Sequence, residues 1–351
     1  PGTSDLGEEL LRCVECSRRS ILVINPLITD NRWIEALIGA RARGIRVKVI
    51  TELRENRGSG LKYPTRGFEV TPHKVLAEHY MAVRQLATNR ILCRGFRHYA
   101  HAKILVVDDE RVIVSSANGT PNSLGWGQEP SVEAGVAFND KPAVGKVVSA
   151  FNQLWERCPF RLHLLENDVS LQESAAGQQD ACALEMAQGE GGDMVWSYPP
   201  RERSLRDTLV RFVSHARERI TIVALSFYAT DEIPAIHAAL LGALNRKVRV
   251  TVIVRPEHFS ADQYPDQSTK QLLEHGLQLL GIPALHAKGI VVDDSAIAIF
   301  SANINPFSLD SEAESAHVEF GFCEDGKIQL LEPYGRWITA LEEAAVYEYR
   351  R

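Results

Sequence analysis

The hydrophobic pattern of the chain repeats one order of predicted elements twice. In the first half, the apolar run Ser20–Ile24 predicts a strand, residues 31–43 have helical spacing, and residues 45–51 predict a second strand. In the later half, the matching segments are a strand at 220–225, a helix at 231–244 and a strand at 248–254. Strand–helix–strand order at this spacing favours parallel pairing, so we predict an α/β sheet in each half.

Capping residues and one further helix support this repeat. Asp30 is a candidate N-cap of the first helix, Thr230 or Asp231 of its later counterpart, and Gly44 follows the first helix as a C-cap. Apolar residues also recur at helical spacing over 6–14 and 204–217, ahead of the first strand of each half. Both halves are therefore predicted to begin with a helix.

The segment between the halves differs in composition from both. Residues 164–193 hold seven acidic residues and no Lys or Arg, and Gly, Ala and Gln are frequent. This composition predicts a flexible acidic linker, with a short helix over 180–188 as the alternative. The chain is accordingly divided into a first half at 1–163, the linker at 164–193 and a second half at 194–351. Because each half carries one motif, we expect the halves to pack as one unit.

Composition places the chain among ordinary globular proteins. Of its 351 residues, 45% are hydrophobic and 24% charged, and no apolar run approaches the length of a membrane span. The net charge of −6 argues against a nucleic-acid partner only at first sight, because the linker carries most of the excess acid. The six cysteines follow no disulfide framework, which favours a reducing, cytoplasmic location.

Six polar residues recur at matched spacing inside otherwise apolar sequence. The first set is His101, Lys103, Asp108, Ser116, Asn118 and Glu133, and the second set is His286, Lys288, Asp293, Ser301, Asn303 and Glu319. In both sets the step from His to Asn is 17 residues. A lone His-x-Lys would be an ordinary surface feature, but its repetition with the same downstream residues predicts a functional site.

The residue types indicate phosphoryl chemistry. His-x-Lys on a strand points both side chains to one face, because side chains alternate along a strand. An imidazole can attack phosphorus or donate a proton near neutral pH, and Lys and Asn can hold phosphate oxygens. A carboxylate behind an imidazole fixes its tautomer. Two such sets supply a nucleophile and an acid for in-line displacement, so we expect neither a metal nor a cofactor.

The two sets resemble the motifs of the phospholipase D superfamily, which read H-x-K-x4-D, usually followed by G-S-x-N and later by Glu. The resemblance covers nearly the whole chain. It implies a duplicated α/β unit with two mixed or parallel sheets, flanked by helices and packed with pseudo-twofold symmetry. It also implies phosphodiester cleavage through a phosphohistidine intermediate.

The resemblance further implies roles for single residues. By similarity, His101 is the nucleophile and His286 the general acid, while Lys103, Lys288, Asn118, Asn303, Ser116 and Ser301 bind substrate phosphate, Glu133 and Glu319 orient the two histidines, and Asp108 and Asp293 support the site structurally. One departure is that Ser115 and Phe300 replace the Gly of G-S-x-N, which bears on the size of the substrate. The presence of both Asp residues disfavours the tyrosyl-DNA phosphodiesterase branch.

We predict the substrate class from the positions of basic residues and from the amino-acid sequence that flanks the motifs. Residues 53–74 hold five basic and two acidic residues with interleaved aromatics, and Arg54, Arg57, Lys62 and Arg66 are the candidate phosphate contacts there. Arg94 and Arg97 lie ahead of His101 and are expected at the rim of the site. Ser-Val-Glu133-Ala-Gly resembles nuclease-like members, including those of bacterial defence systems, which would imply partner proteins of such a system.

Two other readings stay open. Residues 301–309 resemble cardiolipin synthase-type members, so a phospholipase D or phosphatidyl transferase acting on phospholipid headgroups is the alternative to a nuclease cleaving DNA. A nucleic-acid-binding module with a dormant site is a third reading. The lack of a strongly amphipathic apolar segment favours nucleic acid over lipid.

Overall fold

The computed structural model of the protein describes residues 4–53, 72–165, 169–174, 193–198, 203–258, 264–310 and 316–349. The chain divides into two compact units. The first unit contains Pro1–Ile113, Asn118–Pro130 and Ala137–Ala187, and the second contains Val114–Ala117, Ser131–Val136 and Gln188–Arg351. Two short segments of the first half therefore belong to the second unit, and one of them carries Glu133.

The order of helices and strands is nearly the same in the two halves. The first half contains α1 (Ser4–Glu15), β1 (Ser20–Ile24), α2 (Asn31–Ala42), β2 (Arg46–Ile50), α3 (Pro72–Thr88), β3 (Leu92–Gly95), β4 (Tyr99–Ala100), β5 (Ile104–Val107), β6 (Arg111–Ser115), β7 (Gly135–Phe138), α4 (Lys141–Arg157), β8 (Phe160–Leu164) and β9 (Val169–Glu173). The second half contains β10 (Asp193–Ser197), α5 (Ser204–His215), β11 (Arg219–Val223), α6 (Pro234–Asn245), β12 (Arg249–Val254), α7 (Gln267–Glu274), β13 (Gln278–Gly281), β14 (Gly289–Val292), β15 (Ala296–Phe300), α8 (Pro306–Leu309), β16 (His317–Asp325), α9 (Glu332–Ala344) and β17 (Tyr347–Tyr349).

The first sheet has the strand order β7-β6-β5-β1-β2-β3-β8-β9. Strands β1 and β2 are parallel, as the sequence predicts, β3 is parallel to β2, and β5 runs antiparallel to β1. In this antiparallel pair, Ile24 at the end of β1 lies opposite Ile104 at the start of β5. Lys103, which directly precedes Ile104, is therefore placed at the edge of the sheet where the parallel strands end.

The second sheet repeats this plan in the order β10-β16-β15-β14-β11-β12-β13-β17. Strands β11, β12 and β13 are parallel, and β14 runs antiparallel to β11. Val223 at the end of β11 lies opposite Gly289 at the start of β14. Both sheets are mixed and flanked by helices, so the duplicated α/β architecture is confirmed. The pseudo-twofold packing of the halves stays a prediction.

Most predicted boundaries agree with the structure, and one cap is wrong. The Asp30 side chain accepts a hydrogen bond from the backbone N–H of Trp33, which caps α2, and Gly44 follows that helix with a φ of 89°. Thr230 and Asp231 do not cap α6, because they lie in a preceding 3₁₀ turn and the helix begins at Pro234. Proline fits a first helical position because it has no N–H to leave unpaired.

Part of the predicted linker is a strand. Residues of β9 pair antiparallel with β8, from Phe160 opposite Glu173 to Leu164 opposite Val169. Val169 and Leu171 alternate with polar neighbours, and this period-two pattern is what the composition obscured. The predicted alternative helix at 180–188 lies outside the described residues. In the described part of the chain, no helix has the length and apolarity needed to cross a bilayer.

Candidate functional site

In the second unit, His286 and Lys288 lie directly before β14 and not on it. The backbone N–H groups of His286 and Ala287 both donate to the carbonyl of Val132, at 2.8 and 2.9 Å. The prediction that His-x-Lys lies on a strand is wrong for these residues, because their amides bond to this segment of the first half and not to the neighbouring strand. Lys288 Nζ donates to the carbonyl of His286 at 2.6 Å, which fixes the two motif residues against each other.

The imidazole of His286 is held by the glutamate of the other motif. Nδ1 of His286 lies 2.9 Å from Oε2 and 2.7 Å from Oε1 of Glu133. The Glu133 side chain is only 1% exposed and that of His286 is 12% exposed. With its Nδ1 proton donated to the carboxylate, His286 keeps Nε2 for chemistry. Of the two orienting carboxylates that the sequence singled out, Glu133 of the first set therefore serves the histidine of the second set.

Ser116 forms a hydrogen bond to the carboxylate of this pair. Its hydroxyl donates to Glu133 Oε2 at 2.5 Å and accepts from the backbone N–H of Ala134 at 3.1 Å. The hydroxyl is therefore a support for the carboxylate. The predicted contact of Ser116 with substrate phosphate stays a prediction, and its hydrogen bonds in the structure are with Glu133 and Ala134.

The charges of this cluster affect one another. Burial raises the pKa of Glu133, but the charge and hydrogen bond of His286, together with Lys288 and Ser116, outweigh it and hold the pKa below its usual value. Burial lowers the pKa of Lys288 to about 8, against the opposing influence of Glu133 and Glu319. Glu133 is thus ionised at neutral pH, and Lys288 is a cation that loses its proton in mildly alkaline solution.

Glu319 is held by two hydroxyl groups. Ser301 donates to its Oε2, and Ser308 donates to its Oε1 at 2.8 Å. His317 Nδ1 lies 3.5 Å from Oε1. Ser308 was missed by the sequence reasoning, although a signal exists: Ser-Leu follows the Asn by five residues in both halves, at Ser123 and Ser308.

The loop of Asn303 is tied to the end of β11. The side-chain oxygen of Asn303 accepts from the backbone N–H of Ser226 at 3.4 Å, and its own N–H donates to the Ser308 hydroxyl at 3.2 Å. Asn305 Nδ2 donates to the hydroxyl of Ser226 at 3.2 Å. One serine, Ser308, therefore connects the backbone of the phosphate-binding candidate Asn303 to the carboxylate of Glu319.

In the first unit, His101 and Lys103 have the corresponding local geometry. His101 is 8% exposed and Lys103 is 1% exposed, and Lys103 Nζ donates to the carbonyl of His101 at 2.5 Å. The ring of Tyr99 stacks on the imidazole of His101, with centroids 5.6 Å apart and an interplanar angle of 28°. The corresponding position in the second half is Ala284, so the aromatic neighbour is not duplicated.

The loop after β1 holds the segment that carries Asn118. The carbonyl of Gly119 accepts from the backbone N–H groups of Thr29 and Asp30 at 2.8 and 3.0 Å, and its N–H donates to Asn25 Oδ1 at 3.0 Å. The buried Oδ1 of Asn118 makes no hydrogen bond in the described part of the chain. Rotation of this amide would place its NH₂ donor at the same point, as phosphate binding requires.

A buried histidine outside both motifs fixes this loop. His79 on α3 accepts from the backbone N–H of Ile28 through Nδ1 at 2.9 Å, and its Nε2 lies 2.9 Å from the carbonyl of Glu52. Burial lowers the pKa of His79, against the opposing hydrogen bonds to Glu52 and Ile28. The ring is therefore neutral with its proton on Nε2. A single His in a helical pattern belongs to no motif, so no sequence pattern marks His79 as functional.

Asp108 and Asp293 hold turns at the opposite ends of the strands. The Asp108 carboxylate accepts from the backbone N–H groups of Arg18, Arg19 and Ser20, at 2.6 to 3.1 Å. The Asp293 carboxylate accepts from those of Arg217, Glu218 and Arg219, at 2.7 to 2.9 Å. In both residues burial raises the pKa, but these hydrogen bonds outweigh it and lower it below the usual value.

The arginines predicted at the rim have other partners. Arg94 donates to the carbonyl of Trp155 at 2.7 Å and packs over its ring at 4.4 Å, which leaves little of the side chain for a substrate. Arg97 forms an ion pair with Glu173 at 2.6 Å. Neither of these described contacts supports the predicted substrate role. The remaining candidates Arg54, Arg57, Lys62 and Arg66 lie outside the described residues.

Comparison with known proteins gives a consistent fold and varied activities. Phosphatidylserine synthase of Haemophilus influenzae Rd KW20 is 13% identical with a TM-score of 0.72, covering 99% of this chain and 86% of that one. Polyphosphate kinase of Porphyromonas gingivalis is 12% identical with a TM-score of 0.59, covering 97% and 45%. The phospholipase D family member Nuc of Salmonella typhimurium is 20% identical with a TM-score of 0.36, covering 46% and 99%.

These likenesses are likenesses of fold, and the family is shown by sequence. No curated protein sequence matches the chain significantly. The family described as cardiolipin synthase, PLD-like domain, matches residues 10–155 and 209–319, which include both His-x-Lys motifs and both Ser-x-Asn motifs. The chain therefore belongs to the phospholipase D superfamily, within this PLD-like domain family.

Proposed function

We propose that the protein cleaves phosphodiester bonds through a phosphohistidine intermediate and that its substrate is DNA. The observation that carries the reaction is the buried Glu133–His286 pair beside Lys288. An ionised carboxylate 2.7 to 2.9 Å from Nδ1 stabilises the imidazolium form of His286 and directs Nε2 outward for proton transfer. An intact charged pair of this kind is what an active site requires, and it speaks against the dormant reading.

The reaction takes two steps in this proposal. His101 attacks phosphorus, so that an N–P bond forms and the bond from phosphorus to the leaving oxygen breaks, while His286 donates its proton to that oxygen. Water then attacks the phosphohistidine, gives its proton to His286, and the N–P bond breaks. Lys103 and Lys288, with Asn118 and Asn303, hold the non-bridging oxygens, where negative charge develops.

The proposed reaction uses no metal ion. Glu133 is engaged by Ser116 and His286, and Glu319 by Ser301 and Ser308. Their oxygens thus serve hydrogen bonds to protein groups, while the positive charge near the phosphate comes from lysine.

The surface near the site loops supports a polar substrate. The large hydrophobic side chains exposed in the described part of the chain are Met81, Leu92, Leu164, Leu165, Val346 and Tyr347. None of them lies in the loops that follow β1 or β11 or that carry Asn118 and Asn303. A fatty-acyl substrate would require an apolar surface beside the scissile phosphate, whereas DNA requires polar and charged contacts.

A phosphatidyl transferase or phospholipase D is the second candidate. It is favoured by the family that matches the chain, whose description names cardiolipin synthase. The reaction proposed above would then be the same, with an alcohol or water as the second acceptor of the phosphatidyl group.

Parallel assays with labelled DNA oligonucleotides and with vesicles containing phosphatidylglycerol distinguish the two candidates. Both are performed with excess EDTA and with added magnesium. We expect cleavage of DNA at equal rates with either addition, and no turnover of vesicles. Turnover of vesicles without DNA cleavage would establish the lipid candidate instead. Complete loss of activity in EDTA with rescue by magnesium would contradict the metal-independent reaction.

A further inference from the structure

A pair of side chains beside the Asn118 loop is present in one half only. Arg32 lies on α2 with its guanidinium carbon 4.8 Å from the ring centroid of Trp126. Helix α2 begins at Asn31 and helix α6 at Pro234, so the residue of α6 that corresponds to Arg32 is Ala235. Because the catalytic sets are duplicated, such unduplicated residues are what can distinguish the two sides of a substrate.

The ring of Trp126 is fixed in position. Its backbone N–H donates to the carbonyl of Pro121 at 2.9 Å. Gly7 of α1 approaches so closely that a Cβ there would meet Cζ2 of Trp126 at 2.9 Å and the carbonyl oxygen of Leu124 at 2.2 Å. The indole is half-buried and Arg32 is exposed. A fixed aromatic surface thus restrains the direction of an otherwise mobile guanidinium, and a cation over an indole is the favoured arrangement.

Hydrogen bonds place this pair near Asn118. The carbonyl of Gly119, the residue after Asn118, accepts from the backbone N–H of Asp30 at 3.0 Å. Asp30 in turn caps α2 through Trp33, so Arg32 lies in the first turn of that helix. Consecutive Cα atoms are about 3.8 Å apart, and the side chain of Arg32 therefore begins only a few residue lengths from Asn118.

The charge of Arg32 is available for a ligand. Arg94 and Arg97 are engaged with acidic partners, at 3.4 Å from Glu156 and 2.6 Å from Glu173. Arg32 has no such ion pair with any described residue. A guanidinium presents a planar fork of donors that matches two phosphate oxygens, and stacking on an indole leaves that fork exposed.

We propose that Arg32, held over Trp126, binds the backbone phosphate next to the scissile one in a DNA strand. This rests on the proposed function, because it assigns part of the substrate of the same site. The contact would lie on the side of Asn118 alone and would set the direction in which a strand enters the site. Ala235 at the corresponding position of α6 would offer a phosphate no such contact.

The test compares Arg32→Ala with Arg32→Lys and with the matched control Arg46→Ala. Arg46 is an exposed arginine at the start of β2, the opposite end of the sheet from the site loops. The measurement is the ratio of kcat/KM for a short single-stranded oligonucleotide to kcat/KM for bis-p-nitrophenyl phosphate, together with the salt dependence of oligonucleotide binding. Arg32→Ala should lower the ratio about tenfold and reduce the salt slope by about 0.7, as expected for one lost phosphate contact.

The controls separate this proposal from the function on which it rests. Arg32→Lys should keep the salt slope and recover part of the ratio, and Arg46→Ala should change neither quantity. If Arg32→Ala and Arg46→Ala give the same ratio and slope while the wild type cleaves DNA, the Arg32 proposal is wrong and the nuclease proposal stands. If the wild type neither binds nor cleaves the oligonucleotide, both are wrong.

Discussion

The two halves hold the loop after their first strand by different chemistry. In the first unit, the backbone N–H of Ile28 donates to the neutral imidazole of His79 at 2.9 Å. In the second unit, the backbone N–H of Ala229 donates to the carboxylate of Asp266 at 2.9 Å, and that of Thr230 to the hydroxyl of Ser268 at 3.0 Å. One loop thus depends on a neutral imidazole ring, and the other on a carboxylate and a hydroxyl group.

The opposite ends of the strands show no such divergence. Asp108 and Asp293 each accept from three consecutive backbone N–H groups that lead into β1 and β11. Both aspartates also have a left-handed backbone conformation, with φ values of 58° and 50°. The comparison teaches that the duplicated motif specifies the frame of each sheet closely. The loops beside the phosphate-binding asparagines are specified by residues outside the motif, and there the halves are free to differ.

The largest expected effect tests whether the two halves are equal partners in one reaction. His101→Ala and His286→Ala should each lower kcat on the order of 10⁴-fold, because the proposed steps require both a nucleophile and a proton donor. The double variant should be little worse than either single variant, since residues that act as a unit are not additive. Single-turnover kinetics with an oligonucleotide provide the measurement.

A matched control removes only the hydroxyl group of Tyr99, the aromatic neighbour of the first histidine, and leaves both histidines in place. Tyr99→Phe keeps the ring that stacks on His101 and should retain most of the activity. If one histidine variant retained about half of the wild-type rate, the halves would carry independent sites. Trapped phosphate should be found on His101 and not on His286.

Secondary structure and motif residues could be predicted from the sequence more completely than tertiary contacts. The strand at 20–24 and the parallel order of each sheet were predictable, because apolar runs and helical spacing are local patterns that burial enforces. The two sets of polar residues could also be identified from their repetition at equal spacing, and their catalytic roles stay predictions. The pairing of Glu133 with His286 could not be predicted, because it depends on the contact of Val132 with residues 284–287.

Some residues that hold the site together lie outside the motifs and were not identified from the sequence. His79 holds backbone groups that are distant in the chain, and no motif marks it, whereas Ser308 could have been found from the Ser-Leu that follows the Asn by five residues in both halves. Arg94 is a different case: its position ahead of His101 predicts a substrate contact, which stays a prediction, and in the structure its guanidinium donates to the Trp155 carbonyl. Whether a basic residue contacts a ligand or another part of the protein depends on tertiary contacts, and composition does not reveal those contacts.

The prediction of intermediate size concerns Lys288 of the second half and the pH dependence of kcat. Burial lowers the pKa of Lys288 to about 8, so its cationic form is lost as the pH rises through that value. If the cation holds a phosphate oxygen in the transition state, kcat should fall about tenfold per pH unit above this pKa. Lys288→Arg, which stays charged, should shift this decline to higher pH even if it lowers the rate overall. A profile flat to pH 10 in the wild type would contradict the role of the cation.

The smallest expected effect concerns stability and the imidazole that holds the first loop. Burial lowers the pKa of His79, so between the unfolded value of about 6.5 and the lower folded value the unfolded chain binds more protons than the folded one. The contribution of His79 to stability is therefore complete at neutral pH and is lost as the pH falls through that window. His79→Gln should cost on the order of 2 kcal/mol at pH 7.5, because the buried N–H of Ile28 loses its acceptor.

The difference between wild type and His79→Gln should then shrink on acidification, because glutamine does not titrate. Urea unfolding of both proteins at pH 7.5 and 5.5 measures this, with other titrating groups common to the pair. The matched variant in the second unit is Asp266→Asn, which keeps an oxygen to accept from Ala229 and should cost less at pH 7.5. If the His79→Gln difference were the same at both pH values, the imidazole would not be held neutral by burial, and the chemical contrast between the two loops would disappear.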